Sequence, residues 1–411
     1  MKILFLTQYF PPETGAPQNR LYDLAVRLQR KGVKVTVLTA MPNYPQMEVY
    51  KGYKGKVYHY ENKDGIEIHR SYIYASRRKS ILLRLANYFS FTFSSFFTGV
   101  FRLGRFDYIF CESPPLFLGI SAFLLTKIKG GKLLFNVSDL WPESAERLGI
   151  IKNKFLISLA TGLEEFLYKK AVMVSGQTKG IIKNISSRFP EKKVYWLPNG
   201  ADINFYNPEM PDISWRKEQL FSSSDFLLLY GGIVGHAQGL EVILKAAEKL
   251  KGNVRIRFII LGEGPEKEKL ISMKNDMQLA NVFFLNSVPK EKMPSVLSSV
   301  DAAIVPLKKL NLFLGAIPSK IFETLAMEKP ILLGVEGEAK ELFIDQAGAG
   351  ISFIPEDDKD LAEKIKYLSD HPEKQKEMGK KGRVYVKNNF ERDLIAENFL
   401  EVLGAHLKNG D

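Results

Sequence analysis

The 411 residues predict an α/β protein of two doubly wound domains. Three observations carry this expectation. A strand–loop–helix–strand unit opens the chain: Ile3 to Thr7 is apolar, Asn19 to Lys31 has a helical period ending at Gly32, and Val33 to Thr39 is apolar again. The same order restarts at Phe226 to Tyr230, which a glycine-rich loop and a helix from Leu240 to Lys251 follow. Charge divides at about the same place. Residues 1–200 hold 30 Lys and Arg against 14 Asp and Glu, a net of +16, whereas the remainder hold 28 against 32, a net of −4.

Composition narrows the class. The hydrophobic fraction of 45% and charged fraction of 25% are those of an ordinary globular chain. One cysteine, Cys111, excludes an internal disulfide framework and suits a reducing compartment. It ends an apolar run and reads as a small buried hydrophobe rather than a nucleophile. The five histidines are scattered and give no metal-ligand spacing. Met1 to Thr7 is too short for a signal peptide and runs into a loop. The basic half invites an acidic partner. No nucleic-acid signature accompanies it, so anionic lipid or a phosphorylated substrate is expected.

In the first half, Pro11 to Pro17 is a loop with three prolines and the glycine Gly15. It lacks the G-x-G-x-x-G that a dinucleotide site needs after the first strand. Gly15 and Ala16 are small enough for the backbone to approach a ligand, or they belong to a plain strand-to-helix loop. Arg77, Arg78, Lys79 and Arg84 then precede an uncharged run of 17 residues, Leu85 to Phe101, with Arg102 and Arg105 beyond. That run is too short and too rich in Ser and Thr to span a bilayer. It reads as an aromatic core helix, a helix at a membrane interface, or both. Phe106 to Cys111 is a strand and Leu116 to Ile128 a helix. Lys132 to Val137 is a strand with Asp139-Leu-Trp-Pro-Glu143-Ser just past its end. Doubly wound sheets bind ligands beyond strand C-termini, which makes Asp139 and Glu143 candidates. The alternative is that Asp139 caps a turn and Glu143 favours a helix dipole. Ala171 to Gly176 and Val194 to Leu197 are strands, the Asn199-Gly200 turn follows, and 200–215 reads as a linker.

In the second half, glycines 231, 232, 235 and 239 follow a strand and would let backbone approach a phosphate. Arg255 to Leu261 is a strand leading into Gly262-Glu-Gly264-Pro265; Val282 to Leu285 and Ala302 to Pro306 are further strands. Pro318 and Ser319 set a turn and an N-cap for a helix from Lys320 to Met327, with Ile321, Phe322, Leu325 and Ala326 on one face. Pro330 stops it before a strand at Ile331 to Val335. The helix start and Lys320 suit a phosphate, and Glu323 could hold a diol. The other reading is an ordinary capped helix with a Lys320–Glu323 surface pair. Asp358-Lys-Asp360 reads as capping acids for a helix at Leu361 to Leu368, and Asp393 to Leu407 is the last helix.

Taken in order, the first loop, DLWPES, NGAD, the GG-to-QGLE loop, GEGP and PSKIFE resemble the retaining family-4 glycosyltransferases over nearly the whole chain. DLWPES and the Pro-Ser-Lys opening are most similar to a branch of bacterial surface-polysaccharide enzymes that includes O-antigen fucosamine transferases. The resemblance implies a GT-B fold, with domains at 1–200 and 201–387 facing a cleft and a helix at 388–411 crossing back. It implies transfer with retention from a nucleotide sugar, without metal or other cofactor. The implied donor is a UDP-N-acetyl deoxyhexosamine such as UDP-N-acetyl-fucosamine. The implied acceptor is a polyprenyl-diphosphate-linked sugar on the inner face of the plasma membrane, with the basic half on that anionic surface. By position, Asp139 resembles the acceptor-side catalytic residue, with Glu143 beside it. Gly15, Ala16 and Asn199 would line the cleft. Gly232, Gln238, Gly264, Val288, Ile317, Ser319, Lys320 and Glu323 would hold the donor.

Two departures from the family stand out. Of its Glu-x7-Glu pair, Glu323 matches the second and Gly315 replaces the first, so N–H groups from Gly315 to Ile317 are expected to substitute. The lysine of the glycine loop is Gln238 and no arginine precedes it, so the cation must come from Lys320, Lys308 or Lys309. These losses keep open a non-catalytic binding subunit. A UDP-sugar 2-epimerase of the same fold is the other alternative.

Overall fold

The computed structural model describes residues 1–13, 15–78, 80–147, 151 and 153–408. Lys79 of the basic cluster lies outside them. By contacts, the chain divides into one unit of Met1–Pro198 together with the segment from Asp393 on, and a second of Asn199–Arg392.

The first unit holds β1 (Lys2–Leu6), α1 (Ala16–Arg30), β2 (Lys34–Ala40), β3 (Tyr58–Lys63), β4 (Ile66–Ser71), α2 (Ile81–Arg102), β5 (Tyr108–Ser113), α3 (Leu118–Lys129), β6 (Lys132–Val137), α4 (Glu143–Arg147), α5 (Lys154–Lys170), β7 (Met173–Gly176), α6 (Lys179–Arg188) and β8 (Val194–Trp196). Its sheet runs β3-β4-β2-β1-β5-β6-β7-β8 and is parallel except for β3. Successive side chains of β1 point to opposite faces. Ile3 and Phe5 join one core with Leu21, Ala25 and Leu28 of α1, and Leu4 and Leu6 join another with Phe91, Leu118, Leu125 and Leu167. A sheet buried on both faces reads as continuous apolar runs, which is why its central strands are legible in sequence. The β3–β4 hairpin is not among the expected strands. Its turn is Asp64-Gly65, both at positive φ (51° and 80°), the hairpin geometry that an Asp-Gly pair signals.

Helix α1 starts three residues earlier than its hydrophobic period suggests, because Pro17 fits the first turn, where its missing N–H costs nothing. Helices α5 and α6 are also additional to the expected elements. Asn153 accepts from the N–H groups of Phe155 and Leu156, and Thr178 from that of Ile181, so both carry ordinary polar N-caps.

Helix α2 has one side in the core and one side exposed. Phe91 and Ser95 are buried, and Asn87 is held between Gln8, whose Nε2 donates to its Oδ1 at 2.8 Å, and the Tyr74 carbonyl, to which it donates at 2.6 Å. On the outer side, Phe93, Phe97 and Phe101 follow the i, i+4 spacing and are 64%, 54% and 77% exposed. Among the described residues no helix is long and apolar enough to cross a membrane.

The second unit has six parallel strands: β9 (Phe226–Gly231), β10 (Ile256–Leu261), β11 (Val282–Leu285), β12 (Ala302–Pro306), β13 (Ile331–Gly334) and β14 (Gly350–Ser352), in the order β11-β10-β9-β12-β13-β14. Its helices are α7 (Ser214–Glu218), α8 (Glu241–Lys249), α9 (Lys267–Asp276), α10 (Met293–Ser299), α11 (Lys320–Ala326), α12 (Asp358–Asp370) and α13 (Pro372–Asn389), with short turns of helix between them. Helix α7 begins in the last two residues of the stretch expected to be linker, 200–215. The residue capping α12 is Asp357, which accepts from the N–H groups of Lys359 and Asp360. Asp358 pairs with Lys249 at 3.2 Å and Asp360 accepts from Ile354 N–H at 2.8 Å, so both acids of the D-x-D hold the fold. A final helix, α14 (Arg392–Lys408), returns to the first sheet. There Phe399 packs on Phe110 and Tyr195, and Tyr108 donates its hydroxyl to the Leu403 carbonyl at 3.0 Å.

Candidate functional site

The expected donor residues gather beyond the C-terminal ends of β9, β10, β11 and β12. The loops after β9 and β10 lie backbone against backbone. Gly232 N–H donates to the Leu261 carbonyl and Val234 N–H to the Glu263 carbonyl, both at 2.9 Å. A Cβ at Gly262 would stand 1.9 Å from the Gly232 oxygen, so glycine is required there. Gly264 lies equally close against Val234. Its part is to seat one loop on the other.

Gly232 is exposed, and its own missing side chain leaves room for Lys320. A Cβ there would sit 3.1 Å from the Lys320 ammonium. That ammonium stacks on the Tyr230 ring, 3.7 Å from the centroid. Tyr230 is fixed by a 2.6 Å hydrogen bond from its hydroxyl to the Ile233 carbonyl. Burial of the ammonium pushes Lys320 down to about 7, while Glu323 one turn on pulls it back up. An anion resting on the exposed Gly232 backbone would therefore meet a cation held ready beneath it. Lys308 stands at the other end of the same loop, with its ammonium 2.9 Å from His236 Nε2. Gln238 closes the loop's single helical turn, His236–Gln238. Lys309 uses its N–H on Glu356, at 2.9 Å.

Helix α11 departs from expectation at its start. Ser319 has helical dihedrals and makes no capping bond from its side chain. Its end is set by Glu328 at φ 55°, two residues before Pro330. Of the N–H groups expected to replace the missing glutamate, that of Ala316 is occupied by the Phe313 carbonyl at 3.0 Å. Ile317 is half-buried in the loop leading into the helix, and Val288 is half-buried in the loop after β11. Burial raises the Glu323 carboxyl, which Lys290, a hydrogen bond from Tyr206 and Lys320 lower again.

Tyr206 and Tyr230 are missing from the expected residues. Tyr206 is 1% exposed and hydrogen-bonds to Glu323, 117 positions along the chain. It is placed by the Asn199–Asp202 turn. Asn199 accepts from Gly200 N–H at 2.8 Å, Asp202 from the N–H groups of Asn204 and Phe205, and Arg383 donates to the Tyr206 carbonyl at 2.9 Å. Asn199 thus belongs with the second unit and shapes this turn. The nearby signal in sequence was an aromatic pair, Phe205-Tyr206, in a stretch otherwise built of turn residues.

In the first unit, Asp139 lies past the end of β6 and accepts from Ser144 Oγ at 2.9 Å. Desolvation raises its carboxyl, with Ser144 and the Leu140 N–H opposing; the residue keeps an open edge to solvent, which limits the effect. Glu143 is engaged by Arg147 and, at 3.4 Å, by Asn184. Gly15 precedes α1 and accepts from Asn19 N–H, and Ala16 is the first helical residue.

Below Asp139 lies a buried polar network absent from the sequence reading. Arg20 pairs with Glu112 at 2.6 Å and donates to Ser138 Oγ at 3.0 Å. Asn136 donates to Glu112 at 2.7 Å and accepts from Ser175. Ser138 also donates to Glu112, so the residue next to Asp139 is fixed from several sides. Arg20→Ala is expected to cost about 3 kcal/mol, the low end for breaking a buried pair, because Asn136 and Ser138 still hold the Glu112 carboxylate. Urea denaturation gives the value, and an unchanged midpoint would refute the estimate.

Residues 212–385 match the family model described as glycosyl transferases group 1, and residues 15–200 match the glycosyl transferase 4-like domain. The chain is 28% identical over 335 residues to the putative colanic acid biosynthesis glycosyl transferase WcaI of Escherichia coli K12, covering 80% of this chain and 81% of that one. Among solved structures, sucrose-phosphate synthase from Thermosynechococcus elongatus superposes with a TM-score of 0.78 at 14% identity, over 100% of both chains. HepE from Anabaena, solved in complex with UDP and glucose, gives 0.72 at 18% identity over 98% of this chain and 99% of its own. The chain is a glycosyltransferase of the GT-B fold, with a glycosyl transferase 4-like domain in its N-terminal half and a group 1 glycosyl transferase domain in its C-terminal half.

Proposed function

We propose that the protein transfers an N-acetylated deoxyhexosamine, such as N-acetyl-fucosamine, from its UDP form to a polyprenyl-diphosphate-linked sugar. Transfer proceeds with retention at the anomeric carbon and without a metal ion, in bacterial surface-polysaccharide assembly. The observation that carries this reading is the Gly232 backbone lying over the Lys320 ammonium, with Glu323 one turn on. The complex of HepE with UDP favours uridine, and the likeness to WcaI favours exopolysaccharide synthesis. In this reading Lys320 balances the charge that grows on the departing diphosphate. Glu323 accepts from the ribose hydroxyls and Tyr206 holds it in place. Gln238, Gly264, Val288, Ile317 and Ser319 frame the nucleotide. Asp139 orients the acceptor hydroxyl, Glu143 supports its loop, and Gly15, Ala16 and Asn199 leave room for the sugars. The exposed phenylalanines of α2 and the basic residues at its ends would rest the first unit on the cytoplasmic face of the membrane.

A thermal-shift panel of UDP, GDP, ADP, TDP and NAD tests the donor site. UDP at 100 times its dissociation constant is expected to add about 2.7 kcal/mol. Glu323→Ala should lose most of that shift. A shift with GDP alone would keep the site and change the donor; a shift with NAD and none with any nucleoside diphosphate would overturn the reading.

A further inference from the structure

A cavity of about 310 Å³ in the first unit is lined by Lys2, Lys34, Tyr60, His69, Arg102 and Arg105, among others. It lies away from the Asp139 loop. Lys2 and Lys34 open β1 and β2, so the cavity is at the N-terminal ends of the parallel strands, whereas Asp139 and Gly15 follow C-terminal ends. Its charge is one-sided. Glu67 is the single carboxylate in the lining and it pairs with Lys34 at 3.0 Å. Among the described residues Lys2, Arg102 and Arg105 have no carboxylate side chain at ion-pairing distance. Arg102 is oriented by the Tyr58 ring, 5.0 Å away. His69 is kept in its neutral form by burial, and its Nδ1 meets the Tyr58 hydroxyl at 2.9 Å.

The neighbourhood says what such a cavity would face. Arg102 is the last residue of α2, directly after Phe101, the most exposed member of the phenylalanine stripe. Beside α2, Ile120, Leu124 and Ile128 of α3 are exposed at the same i, i+4 spacing, and Phe155, Leu159 and Phe166 of α5 continue the surface. The three helices form one packed layer: Phe89 of α2 contacts Phe117 at the start of α3, and Phe123 of α3 meets Phe166 edge-on. A broad apolar face has at its edge a basic cavity in which only Lys34 is paired, and together they are the two halves of an amphiphile's complement.

We propose that this cavity binds the phosphate of an anionic phospholipid headgroup while the α2 and α3 faces enter the acyl boundary. It rests on the membrane-docking part of the proposed function and adds a defined headgroup site to it. The test is flotation of the full-length protein with vesicles of phosphatidylcholine alone or mixed with phosphatidylglycerol. Binding is titrated in parallel with soluble dihexanoyl phosphatidylglycerol and with inorganic phosphate. Arg102→Gln with Arg105→Gln should weaken partition onto the mixed vesicles about tenfold or more. Both residues are exposed, so folding is not at risk. The control is Lys127→Gln with Lys129→Gln, which removes equal charge from the end of α3 outside the cavity and should weaken partition far less.

Equal losses in the two double variants would overturn the site in favour of diffuse attraction. Equal partition of the wild type onto neutral vesicles would also overturn it, yet leave docking through the phenylalanines intact. Arg102-dependent binding of inorganic phosphate without binding of dihexanoyl phosphatidylglycerol would mark a free-phosphate site and refute the headgroup. A wild type that floats with no vesicle refutes the docking reading together with this one.

Discussion

Lys320→Met is expected to slow transfer about 10²–10³-fold while making the free protein more stable. The two effects share one cause. The ammonium has been taken out of water and is held near neutrality, so replacing it with an apolar chain of similar length relieves a desolvation cost. Such replacements stabilise by about 1–2 kcal/mol when the remaining charges keep partners. Here Glu323 retains Lys290 and Tyr206, which moderate its carboxyl more than Lys320 does. Transfer, in contrast, loses the cation facing the departing diphosphate.

The same residue gives nucleotide binding a signed pH dependence. With Lys320 at about 7 in the free protein, its ammonium is already charged below that pH and binding requires no proton. Above it, the diphosphate must recruit one. Affinity should then fall by up to tenfold per pH unit, and calorimetry in buffers of different ionisation enthalpy should detect proton uptake approaching one at pH 8. For the unliganded protein the sign is opposite. The folded-state value lies below the ordinary lysine value, so stability should rise as pH increases from about 7 towards that value. Lys320→Met should flatten both curves. Proton uptake unchanged in the variant would assign the titration to another group.

Gly262→Ala is expected to cost about 4–5 kcal/mol, among the largest losses for a single substitution. The added carbon would lie 1.9 Å from the Gly232 oxygen and 2.9 Å from its carbonyl carbon, and Gly262 has φ +150°. These are backbone atoms, so no side chain can turn aside. The two loops would have to separate, breaking the hydrogen bonds from Gly232 and Val234 that join them. The melting temperature should drop by about 10 °C, and nucleotide binding should weaken even where the protein is folded. Gly252→Ala provides the contrast. A Cβ there meets nothing within 4 Å, so its effect should stay within about 0.5 kcal/mol. Similar melting temperatures for the two variants would refute the backbone contact.

The parts of this molecule readable from sequence are those with a local cause. Strands β6 and β12 fall where apolar runs predict them, because a strand covered on both faces has no polar side to blur its limits. Lys320 and Glu323 stand out in sequence because both sit in the first turn of one short helix, and the family resemblance rests on the same residues. What stayed hidden is non-local. Nothing near Tyr206 announces a carboxylate 117 positions away, and Tyr230 looks like strand filling until Lys320 is laid across its ring. Arg20, Glu112 and the neighbouring Asn136 and Ser138 come from three separate segments and meet only when β5 and β6 pair beside α1. Ser319 misled for another reason: its residue type favours a cap, but the chain is already helical there.

The return of α14 to the first sheet carries a consequence for how the chain acquires its structure. The second unit is built from one uninterrupted stretch, Asn199–Arg392, and all its strands leave the ribosome before α14 begins. The first unit is made earlier but finished later. Until Ile395, Ala396, Phe399 and Leu403 arrive, α1 alone packs on the sheet face bearing Phe110, and the part of it that Phe399 covers, around Phe110 and Tyr195, stays open. The older half of the nascent chain therefore waits with an exposed apolar surface while the younger half folds. Chaperone dependence during synthesis should centre on that interval, since uncovered apolar sheet is what holdases bind and what aggregates without them.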